Sequence, residues 1–138
     1  MQKNVQELFS KAADYFDVID MHLYHTVESI PGRVEWLKGL MRDAGCSKPI
    51  WSTEISGPQA ASKNAVDAEF LEKQAKELPV RLRTALDCGV EKVFYFHYRA
   101  GDPDNSPDIL YATLGLVGPK GDRRPAYEAM QDFMRLEN

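Results

Sequence analysis

LMRDAGCSKPIW at residues 40–51 and ALDCGVEKVFY at residues 85–95 are two versions of one pattern. Each runs from an apolar helical end through a glycine and a lysine into a β-branched or aromatic stretch. Asp43 matches Asp87, Gly45 matches Gly89 and Lys48 matches Lys92, a constant offset of 44 residues. One strand, one helix and their loops fill that spacing, so the repeat reads as two successive βα units of a parallel sheet.

Working outward, Val5, Leu8, Phe9, Ala12, Ala13 and Phe16 recur at helical spacing over residues 4–16. The half-apolar run DVIDMHLY, Asp17 to Tyr24, then reads as a strand. Pro31 and Gly32 open a second helix with Val34, Leu37, Leu40, Met41 and Ala44 on one side and Gly45 placed to end it. KPIWSTEI, Lys48 to Ile55, is the second strand. A long helix is expected from about Asn64 to Cys88, kinked at Pro79 and closed by Gly89. Val90 to Tyr98, VEKVFYFHY, is the most continuously apolar run and predicts a third strand buried by its neighbours. A polar loop containing Gly101, Pro103, Pro107, Gly115, Gly118 and Gly121 leads to a last helix from Pro125, with Ala126, Tyr127, Met130, Phe133 and Met134 as its face. The expected fold class is therefore α/β, with three parallel strands alternating with four helices.

The 138 residues, 43% apolar and 28% charged, have the make-up of a globular domain. A net charge of −4, with the basic residues scattered, gives no footprint for nucleic acid, and no segment suggests a membrane span. The N-terminal run MQKNVQELFSKAADYF lacks the apolar core of a signal peptide. Cys46 and Cys88 are too few for a disulfide framework or a cysteine zinc site and read as packed thiols. Three parallel strands leave two edges and a narrow core, which implies a partner or further strands.

Alternation along a strand projects Asp20, His22 and Tyr24 together, and likewise Ile50, Ser52 and Glu54. Sites in parallel α/β folds lie at the carboxyl ends of the strands, so His22, Tyr24 and Glu54 are expected to converge at one mouth. Matching the two repeats places Phe96 and Tyr98 on the face of Ser52 and Glu54, with Trp51 opposite as helix-packing core. A His and a Tyr on an inward face also occur as ordinary core residues.

The same residues resemble the C-terminal part of the retaining glycoside hydrolases of clan A, cellulase- and xylosidase-like (β/α)8 barrels. DVIDMHLY is similar to their sixth strand, where a His-x-Tyr pair, here His22 and Tyr24, lines the substrate site. KPIWSTEISG is similar to the seventh strand, whose terminal glutamate, here Glu54, is the catalytic nucleophile. KVFYFHYRAG, followed by LGLVGPKGDRRPAYEAM, resembles the eighth strand, its loop and the closing helix. Where such enzymes present a tryptophan beneath the sugar, this chain offers Phe96 and Tyr98. The resemblance implies hydrolysis of O-glycosyl bonds in β-linked oligo- or polysaccharides, with no cofactor and no metal.

Retaining chemistry uses two carboxyl groups, one to attack and one to protonate the leaving oxygen. The family's acid/base glutamate follows an asparagine, and no Asn-Glu dipeptide occurs in this chain. A complete barrel takes about 250 residues. Residues 1–138 are accordingly expected to supply strands six to eight, with strands one to five and the acid/base missing. Two other readings stand beside a glycosidase fragment. One is a non-catalytic barrel remnant or assembly module that pairs with a missing N-terminal half or with a second copy. The other is a metal-dependent hydrolase using His22, His25, Glu54 and His97, whose spacing matches no known zinc pattern.

Overall fold

The computed structural model of the chain describes residues 2–62, 65–102, 104–105 and 108–137. Three parallel strands, β1 (Ile19–Asp20), β2 (Ile50–Ile55) and β3 (Lys92–Tyr95), form one sheet in the order β1-β2-β3. Five α-helices accompany them: α1 (Gln2–Ala12), α2 (Ile30–Asp43), α3 (Ala68–Asp87), α4 (Ile109–Thr113) and α5 (Pro125–Glu137). Sequential strand order, with α2 and α3 each crossing between neighbouring strands and packing on one another, lays the helices over one face of the sheet. That is the arrangement of part of a (β/α)8 barrel, whose helices form a single outer ring.

Local chemistry accounts for most element boundaries. Pro31 sits in the first turn of α2, where its missing N–H costs nothing, and α2 starts one residue earlier than expected, after a 3-10 turn at Val27–Ser29. Gly45 (φ +66) and Gly89 (φ +86) take the left-handed conformation just beyond α2 and α3, as their positions predicted. The expected start of α3, Asn64, lies outside the described residues. The helix itself begins at Ala68, because the Asp67 carboxylate accepts the Phe70 N–H at 2.8 Å and caps it. It continues through Pro79 to Asp87. α1 is shorter than the apolar spacing suggested, giving way to a 3-10 turn at Ala13–Tyr15. In the polar loop, Asp108 caps the short helix α4, a fifth α-helix among the described residues.

The core lies between helices and sheet, where Leu23, Ile30, Val34, Ile55, Leu78 and Leu82 are almost wholly buried. Each such side chain contributes roughly 1.5–3 kcal/mol on burial. The opposite face of the sheet is open, and this corrects two expectations. β3 is not buried: it is four residues long at the sheet edge, and Phe94 is 49% exposed because the helices cover only one face. Trp51 is not helix-packing core. It pairs in register with Asp20 and Lys92, away from the helices, with its ring 6.4 Å from Phe94 and beneath the Lys92 ammonium.

β2 also carries one extra residue. Ser52 pairs with Val93 and Ile55 with Tyr95, three steps against two. On the other side, the Met21 and Leu23 amides reach the Trp51 and Glu54 carbonyls at 2.9 and 2.8 Å, again two steps against three. Strict alternation therefore fails at this point. Ser52 and Ile55 are both buried under the helices, whereas Glu54 turns to the side occupied by Asp20, His22 and Tyr24. Among the described residues, no helix is long and apolar enough to cross a membrane.

Candidate active site

Glu54 is the meeting point of the carboxyl ends of β1 and β2. The Tyr24 hydroxyl donates to Glu54 Oε2, and His22 Nδ1 lies 3.2 Å from the same oxygen. On its other side the imidazole presents Nε2 to Asp20 Oδ2 at 3.0 Å. The Glu54 side chain is one-third exposed. Both contacts fall on Oε2, and among the described residues no hydrogen bond reaches Oε1. One oxygen is therefore held while the other is left free of hydrogen bonds among the described residues, an arrangement compatible with a carboxylate that attacks through the second oxygen.

Tyr24 is held from two directions. Its ring stands edge-on to His22 (6.1 Å) and to Phe96 (5.9 Å). Its backbone is gripped from behind by the buried Arg81 of α3, whose guanidinium donates to the carbonyls of Leu23 and His25, the residues on either side, and pairs with Glu77. Gly57 makes room for that guanidinium: a Cβ there would lie 2.5 Å from Arg81 Nη2. Burial, then the bond to Glu54 and its negative charge, push the Tyr24 hydroxyl far above the usual tyrosine range. It remains a neutral donor wherever the protein is folded near neutrality.

Phe96 follows β3 and closes the third side. It stacks edge-on with Tyr111 of α4 at 5.4 Å, and Tyr111 in turn meets the His97 ring at 5.6 Å. Of the residues expected at the mouth, the fold brings His22, Tyr24, Glu54 and Phe96 together. Tyr98 is 64% exposed, with its carbonyl accepting from the Val117 amide at 2.9 Å, and its ring makes no aromatic contact with the cluster among the described residues. His25 contributes its backbone carbonyl to Arg81. His97 is half-buried against Phe96, and burial lowers its pKa. No group of three His, Cys, Asp or Glu side chains suited to a metal ion occurs among the described residues.

Two residues at the cluster escaped the sequence reading as site residues. Asp20 carried a signal, since it shares a strand face with His22 and Tyr24. Tyr111 carried none, because its helix sits in a stretch that reads as polar loop. A cleft of about 1220 Å³ lies between the loops after β1 and β2 and α3 from Glu69 to Arg81, bounded also by Tyr24, His25 and Pro58. A second, of about 640 Å³, lies at the opposite end of the sheet, beside Lys38, Cys46 and Gly89. Glu54 lines neither.

No protein-family model matches the chain, and no curated protein matches it. Solved structures do. A GH5_18 enzyme from Bifidobacterium longum subsp. infantis superposes with a TM-score of 0.59 at 20% identity over 79% of this chain and 24% of its own. A GH2 β-galacturonidase from Eisenbergiella tayi gives 0.63 at 21% over 92% of this chain and 25% of its own. Xylanase 10B from Thermotoga maritima gives 0.62 at 18% over 99% of this chain and 41% of its own. The fold is thus that of a portion of glycoside hydrolase barrels, and the chain spans about a quarter of the first two.

Proposed function

We propose that the chain is the C-terminal three-strand segment of a retaining glycoside hydrolase, with Glu54 as the nucleophile. The observation that carries this reading is the convergence of the Tyr24 hydroxyl and the His22 imidazole on one oxygen of Glu54, at the carboxyl ends of parallel strands. Glu54 Oε1 attacks the anomeric carbon, and the glycosidic bond breaks with its electron pair on the leaving oxygen. Tyr24 supports Oε2 without taking part in proton transfer, because its hydroxyl holds its proton so firmly. His22, half exposed beside the carboxylate, is placed to meet a sugar hydroxyl, and Phe96 and Tyr98 are the aromatic surfaces available to the ring.

In this reading the proton for an ordinary leaving group comes from the second carboxyl group that retaining chemistry uses, and the resemblance assigns that group to an earlier strand of a barrel. β-Linked oligo- or polysaccharides are the proposed substrate class. The uncovered sheet face, with Trp51 and Phe94 on it, favours a second reading, a non-catalytic module that pairs with another chain.

Activated 2-fluoro glycosides separate the two, since their leaving groups depart without acid assistance. Intact-mass spectrometry of the folded chain after incubation with a panel of them should show a covalent glycosyl adduct mapping to Glu54 and absent from Glu54→Gln. A folded protein that takes no label from any sugar would leave only the non-catalytic reading.

A further inference from the structure

The extra residue in β2 leaves the Thr53 amide out of the ladder with β1, between the bonds to the Trp51 and Glu54 carbonyls. Asp20 takes it. Its Oδ1 accepts the Thr53 N–H at 2.9 Å, while Oδ2 lies 3.0 Å from His22 Nε2. One carboxylate therefore holds both the backbone immediately before Glu54 and the imidazole that lies against Glu54. The geometry points to Asp20 as a positioning residue: it pins the irregularity that turns Glu54 toward Tyr24 and holds the His22 ring against Glu54.

Its reach is physical rather than chemical. Asp20 touches no oxygen of Glu54 and acts through Thr53 and His22. A one-residue insertion in a strand is stabilised only where its displaced amide finds a partner, since an amide left unpaired costs free energy comparable to a lost hydrogen bond. If that amide is released, the Thr53–Glu54 segment gains backbone freedom. If the carboxylate is removed, the imidazole loses the acceptor facing Nε2 and turns about its Cα–Cβ bond. Asp20 is half exposed, and its side chain adds nothing to the core, so its replacement leaves the fold intact.

Two substitutions divide the roles. In Asp20→Asn the amide oxygen still accepts the Thr53 N–H, but the amide nitrogen can only donate toward His22. Asp20→Ala removes both contacts. Two measurements on the whole 138-residue chain decide the matter without reference to any substrate: hydrogen exchange of the Thr53 amide, and imidazole ¹⁵N shifts of His22. Thr53 should be protected in the wild type and in Asp20→Asn and fast in Asp20→Ala, while the His22 shifts should change in both variants. Thr53 protection and His22 shifts unaltered in Asp20→Ala would overturn the assignment.

The consequence for chemistry rests on the nucleophile reading above and is measured separately. At saturating 2-fluoro glycoside, glycosylation of Glu54 should slow by about tenfold or more in both variants, with the reagent concentration for half-maximal rate little changed, because misplacement by a fraction of an ångström falls on the attacking step. Labelling at the wild-type rate in Asp20→Ala would overturn the positioning role and leave the glycosidase reading standing. A wild type that takes no label, with Thr53 and His22 responding as expected, would remove the glycosidase reading and leave the positioning geometry standing.

Discussion

Tyr24 and Glu54 form a pair in which each sets the behaviour of the other. The phenol is withheld from ionisation by burial and by the acceptor oxygen of Glu54, and the carboxylate keeps a neutral donor on Oε2. Stability against alkali follows. A group whose pKa is raised in the folded state contributes stability that is fully present below its ordinary pKa, near 10 for tyrosine, and lost as pH rises through the folded value. Tyr95, also raised by burial, adds in the same sense. The urea midpoint should hold steady from neutrality and fall from about pH 10 upward, with a shallower fall in Tyr24→Phe. An identical slope in that variant would tell against a buried, Glu54-bonded phenol. At this scale the sequence was informative for His22, Tyr24, Glu54 and Phe96, whose types and strand positions suffice to group them. It was silent on Tyr111, because aromatic packing across a loop leaves no periodic trace.

Among the elements, α3 does more than cover the sheet. Arg81 reaches under the end of β1 and binds the carbonyls flanking Tyr24, so a helix from one βα unit sets the height of a side chain on another. Gly57, just after β2, completes the fit by leaving space for the guanidinium. Gly57→Ala and Arg81→Met should therefore share a phenotype: about 2 kcal/mol of lost stability in urea titrations, from a displaced or deleted partner of Glu77, together with faster amide exchange confined to residues 23–25. Exchange spread evenly over the chain would show that Arg81 acts on the whole core instead. Element order and parallel pairing were legible from the 44-residue repeat, and the ends of α2 and α3 from their glycines. The bulge in β2 was not. Alternation is a local rule, and an inserted residue is defined only by counting against two neighbouring strands.

For the molecule as a whole, one face of the sheet is sealed by helices and the other carries Lys92 and Phe94 into the open with Trp51 half-buried beside them, and no further strand pairs with β1 or β3 among the described residues. Such a surface calls for a cover, and the isolated chain should associate through it. Sedimentation velocity should show a concentration-dependent species that Phe94→Lys shifts toward the monomer. A chain monomeric at every concentration would tell against this face as a contact surface. The sequence by itself determined the fold class, the order of its units and the residue types at the carboxyl ends of the strands, because helical spacing, strand composition and helix-ending glycines act within a few residues of one another. Only the tertiary structure decided that Glu54 parts from the face of Ser52, that Asp20 and Arg81 serve the site from neighbouring elements, and that β3 and Trp51 lie away from the helix layer. Each of these depends on register between segments some 30 to 60 residues apart, and hydrogen bonds and packing across that distance exist only once the chain has closed on itself.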